Sequence, residues 1–169
     1  FPRNLGQVPI YYNQKNTGRP ISKENPTEDY KSNYIDSPNT PLYPFGHGLS
    51  YTTFKYSEIK LSSDKVKESE ILKASSTITN TGDFDGHEVV QLYIRDKVGS
   101  ITRPIKELKG FKKIFLKKGE SKTVVFEISN EDLKFYNNGK LILESGEFEI
   151  AISPSSDFEF NKLFNVILN

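Results

Sequence analysis

Val90-Gln-Leu-Tyr-Ile-Arg95 alternates one for one, with Val90, Leu92 and Ile94 on one side and Gln91, Tyr93 and Arg95 on the other. Successive side chains of a strand point to opposite faces, so this period of two marks a strand with one face in a core. The pattern returns in Val124, Phe126 and Ile128, and in Phe148, Ile150 and Ile152 set against Glu147, Glu149 and Ser153. Leu72, Ala74 and Ile78, then Leu141 and Leu143, then Phe164, Val166 and Leu168 supply further strands.

Between these runs lie turn signals: Asn80-Thr-Gly, Asp85-Gly, Lys118-Gly-Glu, Asn138-Gly and Ser145-Gly. About seven strands at this spacing predict an all-β fold over 54–169, a Greek-key β-sandwich of the immunoglobulin or fibronectin III type. Glu131 to Phe135 predicts one helical turn, and no stretch keeps helical periodicity for three turns.

Upstream the grammar changes. Residues 1–53 hold seven of the nine prolines and six of the nine tyrosines. Proline locks φ, removes an amide donor and pushes its predecessor to extended geometry. With Pro2, Pro9, Pro20, Pro26, Pro38, Pro41 and Pro44 in place, this region predicts an irregular segment with no core of its own. Gln7 to Asn13 is its one strand candidate, through Val8, Ile10 and Tyr12.

Composition narrows the function classes. The 169 residues carry 23 Lys and Arg against 22 Asp and Glu, a formal charge of +1. That near-zero balance, with no basic block, gives no electrostatic footprint for nucleic acid or an anionic membrane. No apolar run approaches the roughly 18 residues of a membrane helix. Cysteine is absent, which removes disulfides, thiol catalysis and cysteine-ligated metals. Methionine is absent too, and we read the chain as a processed or excised piece.

Catalytic chemistry finds little support. His47, in Phe45-Gly-His-Gly, reads as a tight turn, since a dinucleotide fingerprint needs a third glycine between strand and helix. His87 follows Asp83-Phe-Asp-Gly, where a calcium loop would need an acid at the position of Ile94, so a hairpin turn is the reading. Glycoside hydrolysis needs two carboxylates facing each other across a concave site, whereas Glu147 and Glu149 alternate with core residues and point outward. No catalytic residue, metal or cofactor is assigned. Tyr93 and Tyr136 are the exposed rings suited to stacking on a sugar, with Phe135 behind them, although an exposed sheet tyrosine also serves cross-strand packing.

Longer motifs add a resemblance. Phe1-Pro-Arg-Asn-Leu-Gly-Gln-Val-Pro-Ile-Tyr-Tyr-Asn and Asn16-Thr-Gly-Arg-Pro resemble the end of the catalytic region in bacterial β-glucosidases of glycoside hydrolase family 3. Pro41-Leu-Tyr-Pro-Phe-Gly-His-Gly-Leu-Ser-Tyr-Thr is similar to the opening of that family's C-terminal fibronectin type III-like domain. Asn80-Thr-Gly-Asp-Phe-Asp-Gly-His-Glu-Val-Val-Gln-Leu-Tyr-Ile and Arg103-Pro-Ile-Lys-Glu-Leu-Lys-Gly-Phe continue the match.

The resemblance implies three parts: 1–13 as the last strand of an α/β sandwich catalytic domain, 14–53 as a Pro/Tyr-rich linker, and 54–169 as the fibronectin-like domain. It implies a non-catalytic tail that braces the catalytic domains of its own polypeptide. The parent is expected to be a periplasmic or secreted retaining enzyme that removes terminal β-D-glucosyl residues from oligosaccharides, with nucleophile and acid/base upstream of Phe1. Arg19, Tyr34 and Asp36 are the linker residues expected at the rim of the parent's pocket. Residues 1–13, freed of their neighbours, are expected to pack on the sandwich or on a second copy. A free-standing carbohydrate- or protein-binding module is the competing reading, since a fold alone does not define function.

Overall fold

The computed structural model describes residues 1–8, 10–16, 19 and 30–168. In chain order the strands are β1 (Phe54–Tyr56), β2 (Lys60–Leu61), β3 (Lys65–Lys67), β4 (Leu72–Asn80), β5 (Gly86–Asp96), β6 (Glu107–Leu116) and β7 (Ser121–Ile128). A single helical turn, α1 (Asn130–Leu133), precedes β8 (Phe135–Asn137), β9 (Lys140–Ile142), β10 (Gly146–Ser153) and β11 (Lys162–Ile167).

Two sheets form the sandwich, as the alternation predicts. In one, β1 and β2 pair with successive parts of β4, and β7 flanks its other side. The second runs β3-β11-β10-β5-β6. The first strand is broken: the chain leaves β4 after Leu61 and crosses to the other sheet, where β3 lies parallel to β11. β4 to β5, β6 to β7 and β7 to β10 cross between the sheets, the Greek-key pattern of a sandwich.

The period-two residues are the core. Leu72, Ala74 and Ile78 of β4 meet Val90, Leu92 and Ile94 of β5, with Val124, Phe126 and Ile128, Phe148 and Ile150, and Phe164 and Val166 all buried. Each such Val, Leu, Ile or Phe side chain contributes roughly 1.5–3 kcal/mol on leaving water. The helical turn lies where expected; Ser129 and Asp132 form its capping box and Leu133 points into the core.

Leu141 departs from the reading. It lies on the β8–β9 hairpin and is 46% exposed, because that hairpin forms its own two-stranded sheet outside the sandwich. Asn138 and Gly139 close it with φ of 48° and 75°, the left-handed pair that a tight two-residue hairpin requires.

Asn80 ties three turns together at the end of β4. Its side-chain oxygen accepts from Thr52 Oγ1 at 2.6 Å and from the Gly82 amide, while its nitrogen donates to the carbonyls of Phe84 and Leu116. Gly82 packs so close to Thr52 that a Cβ there would fall 2.3 Å from Thr52 Oγ1. The Asp83 and Asp85 pair is held as a turn: Asp83 accepts from Lys118 Nζ and Asp85 from the Lys118 amide.

Candidate functional site: an aromatic seat on the outer sheet face

Residues 90 to 94 of β5 are all buried, which one-faced alternation does not explain. Val90, Leu92 and Ile94 face the core, while Gln91 and Tyr93 face outward and are covered by a second layer. Tyr12 of the N-terminal segment meets Tyr93 edge-on at 6.0 Å and stacks on Phe45 at 4.3 Å. Phe158 closes the other side at 4.9 Å from Tyr93, with Phe160 edge-on to it.

Hydrogen bonds lock this layer. Tyr93 OH donates to Gln91 Oε1 at 2.5 Å, and Gln91 Nε2 donates to the Pro154 carbonyl. Lys106 Nζ donates to the carbonyls of Ser156 and Phe158 and lies 4.3 Å from the Phe158 ring centroid. Burial, reinforced by Tyr12, pushes the Tyr93 hydroxyl well above its ordinary range, so it stays a neutral donor.

The motif from Pro41 to Thr52 supplies the upper wall. Pro44 to His47 is a tight turn closed by the His47 amide on the Pro44 carbonyl, with Gly46 at φ +80° as its third residue. The Phe45 carbonyl accepts from the Ser156 amide, and Gln14 accepts from the Ile105 amide beside an isolated bridge from Lys15 to Pro104. The proline-rich segment therefore adds itself to the sandwich through side chains and single backbone bonds, not through a ladder.

Gln7 is the pin of that segment. Fully buried, it donates to the carbonyls of Pro38 and Thr40 and accepts from the Arg3 amide, while Arg3 itself reaches Thr40. Gln7 to Asn13, expected as a strand, forms none among its described residues. Gln7 is spent on this clamp, and Tyr12 turns onto Tyr93.

A cleft of about 980 Å³ opens between the segment and the sandwich, walled by Phe1, Tyr11, Tyr12, Tyr43, Phe45 and Lys106 among others. Its described lining holds one carboxylate, Asp157, whereas hydrolysis with retention uses two roughly 5–5.5 Å apart. The arrangement suits covering apolar surface.

The site residues expected from sequence scatter. Tyr93, read as an exposed ring platform, is buried, because Tyr12, Phe45 and Phe158 occupy the face it presents. Phe135 is also buried, under the Arg103 guanidinium at 4.2 Å. Tyr136 is 70% exposed, directly opposite Leu141 on the hairpin. Arg19 and Asp36 are exposed and Tyr34 is half-buried. The Ser32 amide bonds the Arg19 carbonyl, and Asn39 bonds both the Tyr34 amide and the Ser32 carbonyl. Among the described residues from 19 to 39, only Asn39 lines the cleft.

Arg103, buried in the loop between β5 and β6, is a residue whose role the sequence did not announce. It bonds Glu107 at 3.0 Å and Asp96 at 3.5 Å. Burial opposes the charge on Glu107, but Lys109 and Arg103 outweigh it and hold its carboxyl below the usual range. Asp96 has the longer Arg103 contact and the Val98 amide at 3.2 Å, and burial, with Glu144 and Glu107 nearby, outweighs both, so its carboxyl is raised. Glu147 and Glu149, read as outward-facing, are cross-strand partners of Lys97 and Arg95.

Residues 88–156 match the family described as fibronectin type III-like domain. The chain is 50% identical over 157 residues to the periplasmic β-glucosidase of Salmonella typhimurium, covering 92% of this chain and 20% of that protein. It is 46% identical over 156 residues to a putative β-xylosidase of Formosa agariphila, with 92% and 19% covered. Among solved structures, the β-glucosidase of Listeria innocua in complex with gluconolactone superposes with a TM-score of 0.89 at 43% identity, covering 98% of this chain and 23% of that one. The chain thus spans about a fifth of the length of the relatives it matches.

Proposed function

The chain belongs to the fibronectin type III-like, C-terminal part of family 3 β-glucosidases, and from that premise we propose that its polypeptide is a retaining β-glucosidase whose catalytic domains it braces. The supporting observation is 50% identity across nearly the whole chain to a periplasmic β-glucosidase. That relative also supports a periplasmic or secreted location. Hydrolysis of an aryl β-glucoside by the whole polypeptide, with the β-anomer released first in proton NMR, is the expected result. Failure to cleave either the glucoside or the matching xyloside rejects the reading.

The bracing role is supported by apolar residues left open on the N-terminal segment. Phe1 is 83% exposed, Leu5 98%, Leu49 96% and Tyr51 97%. On this reading they pack on the upstream domains, and residues 1–13 pair there as a strand. Separated from those domains, the same residues bring two copies of the chain together, which sedimentation equilibrium reads directly.

On the same reading the Arg19, Tyr34 and Asp36 loop borders the parent's sugar pocket, supported by its polar groups beside a ring. Tyr34→Ala in the whole enzyme then raises KM for the glucoside, and unchanged kinetics remove these residues from the rim. Tyr136 remains as a ring open to a saccharide.

A further inference from the structure

The phase of the β4–β7 ladder decides which backbone groups of β7 open outward. The Asn80 amide donates to the Glu120 carbonyl at 2.9 Å, one step beyond the paired residues Thr79 and Ser121. In an antiparallel ladder the bonded pairs recur at every second position, and a strand residue sends its amide and carbonyl to the same side. Ile78 with Lys122, Ser76 with Val124, Ala74 with Phe126 and Leu72 with Ile128 are therefore the bonded pairs. Ser121, Thr123, Val125 and Glu127 turn their amides and carbonyls away from β4. The other side of β4 agrees, since its Lys73 and Thr77 carbonyls accept from the amides of Ser62 and Ser57. Among the described residues no strand pairs with the outer side of β7.

Such an edge is a template for another chain. β7 runs from Ser121 to Ile128 without proline, glycine or a shift of register, and the four outward residues are all exposed. One side chain meets it. Lys112 of β6 lies opposite Val90 of the core, and directly opposed residues share a face, so Lys112 holds an inward-facing position. Ile114 and Leu116, next in that row, are buried. Lys112 instead crosses the open side of the sandwich, where Nζ donates to the Val125 carbonyl and lies 5.4 Å from the Phe126 ring centroid. An inward-pointing charge on an edge strand obstructs the approach of a second chain, which would have to desolvate it.

The edge is also complementary to itself. Two copies set antiparallel about a two-fold axis at Val125 bring Val125 against Val125 and Thr123 against Glu127, all through outward-facing groups. No like charges are opposed in that register. The free edge of β6 is less suited, because Lys109, Lys112 and Lys113 along it repel a second copy.

We propose that the outer edge of β7 is a strand-pairing surface for β7 of a second copy, and that Lys112 keeps it closed. The Lys112 ammonium occupies the Val125 carbonyl, the group at the centre of the two-fold. This surface is separate from residues 1–13, and the inference is independent of what the polypeptide hydrolyses.

Sedimentation velocity of the whole polypeptide across a concentration series tests this, with hydrogen exchange read amide by amide over 121–128. In the unaltered protein Ser121, Thr123, Val125 and Glu127 are expected to exchange fast at every concentration. Lys112→Ala is expected to slow these four amides about tenfold or more as concentration rises, and to raise the particle mass with it. Lys112→Arg keeps a donor for the Val125 carbonyl and is expected to match the unaltered protein in both readings. Adding Val125→Lys to Lys112→Ala opposes two cations at the two-fold and is expected to reverse both effects. Both positions are exposed, and equal melting temperatures at low concentration show that the variants fold. Slow exchange of the four amides in the unaltered protein overturns the proposal, because the edge is then already covered. So does a Lys112→Ala variant with no concentration-dependent change, or association that persists with Val125→Lys.

Discussion

Gly46 lies against the side chain of Gln91 so closely that a Cβ on it would fall 2.4 Å from Gln91 Oε1. Gln91 cannot swing aside, because Tyr93 OH and the Pro154 carbonyl hold both ends of its amide. One contact thus joins the Pro44–His47 turn to the centre of β5. Gly46 meets two demands at once, a left-handed φ of +80° and the absence of a side chain.

Gly46→Ala is expected to destabilise the protein by about 1–3 kcal/mol in urea denaturation. Adding Gln91→Ala removes the clash but not the backbone strain. The double variant is therefore less affected than the sum of the two single changes, and strict additivity would show that the contact carries no strain.

Asn80→Ala leaves the Thr52 hydroxyl, the Gly82 amide and the Phe84 and Leu116 carbonyls without their shared partner. Buried polar groups stripped of partners put the expected loss at about 2–4 kcal/mol, read as a lower midpoint in denaturant. Asn80→Asp also destabilises, since it loses the donor to both carbonyls. A change below the error of the measurement in both variants would contradict the hub.

Tyr12→Ala removes the ring that seats the N-terminal segment on Tyr93 and Phe45. The amides of Ile105 and Ser156, bonded to Gln14 and Phe45, are expected to exchange about tenfold faster, the effect of one lost ring contact of ~1–1.5 kcal/mol. Amides between β4 and β7 keep their protection, because Tyr12 meets Tyr93 on the other sheet.

The pair of Tyr56 and Glu88 gives the pH dependence. Tyr56 OH donates to Glu88 at 2.7 Å, and burial raises the Glu88 carboxyl above its ordinary 4.5 although that bond opposes the shift. A carboxyl raised in the folded state holds its proton longer there than in the unfolded chain. Its stabilising contribution is therefore complete below 4.5 and is lost as pH rises through the raised value. Glu88→Gln keeps an acceptor for Tyr56 without the charge. Its melting temperature is expected to lose that decline between pH 4.5 and neutrality, and a decline as steep as that of the parent protein would assign it to another group.

How much was legible follows from which interactions are local in the chain. Val90, Leu92 and Ile94, Val124, Phe126 and Ile128, and Phe148, Ile150 and Ile152 are buried where period two places them. Asn138-Gly139 and the Phe45 to Gly48 stretch are turns, because left-handed φ favours glycine and asparagine, and Asn138, Gly139 and Gly46 adopt it. These features depend on the strand or turn itself and are written within a few residues. Tyr93 and Leu141 are where the same rule misleads. Alternation assigns a residue to one of two faces, but it carries no information on whether a second layer covers the outer face or whether a hairpin stands apart from the core.

The sequence by itself determined the sandwich, its turns and, through its long motifs, its relatives. Only the tertiary structure decided that the proline-rich third is seated on Tyr93 through Tyr12 and Phe45, pinned by Gln7, and that Phe111, Lys113 and Phe115 are left in the open beside it. The physical reason is separation along the chain: strand periodicity is set by neighbours two residues apart, whereas Tyr12 and Tyr93 are distant in sequence and meet only through the fold, and no local pattern records which of two outer faces will be covered.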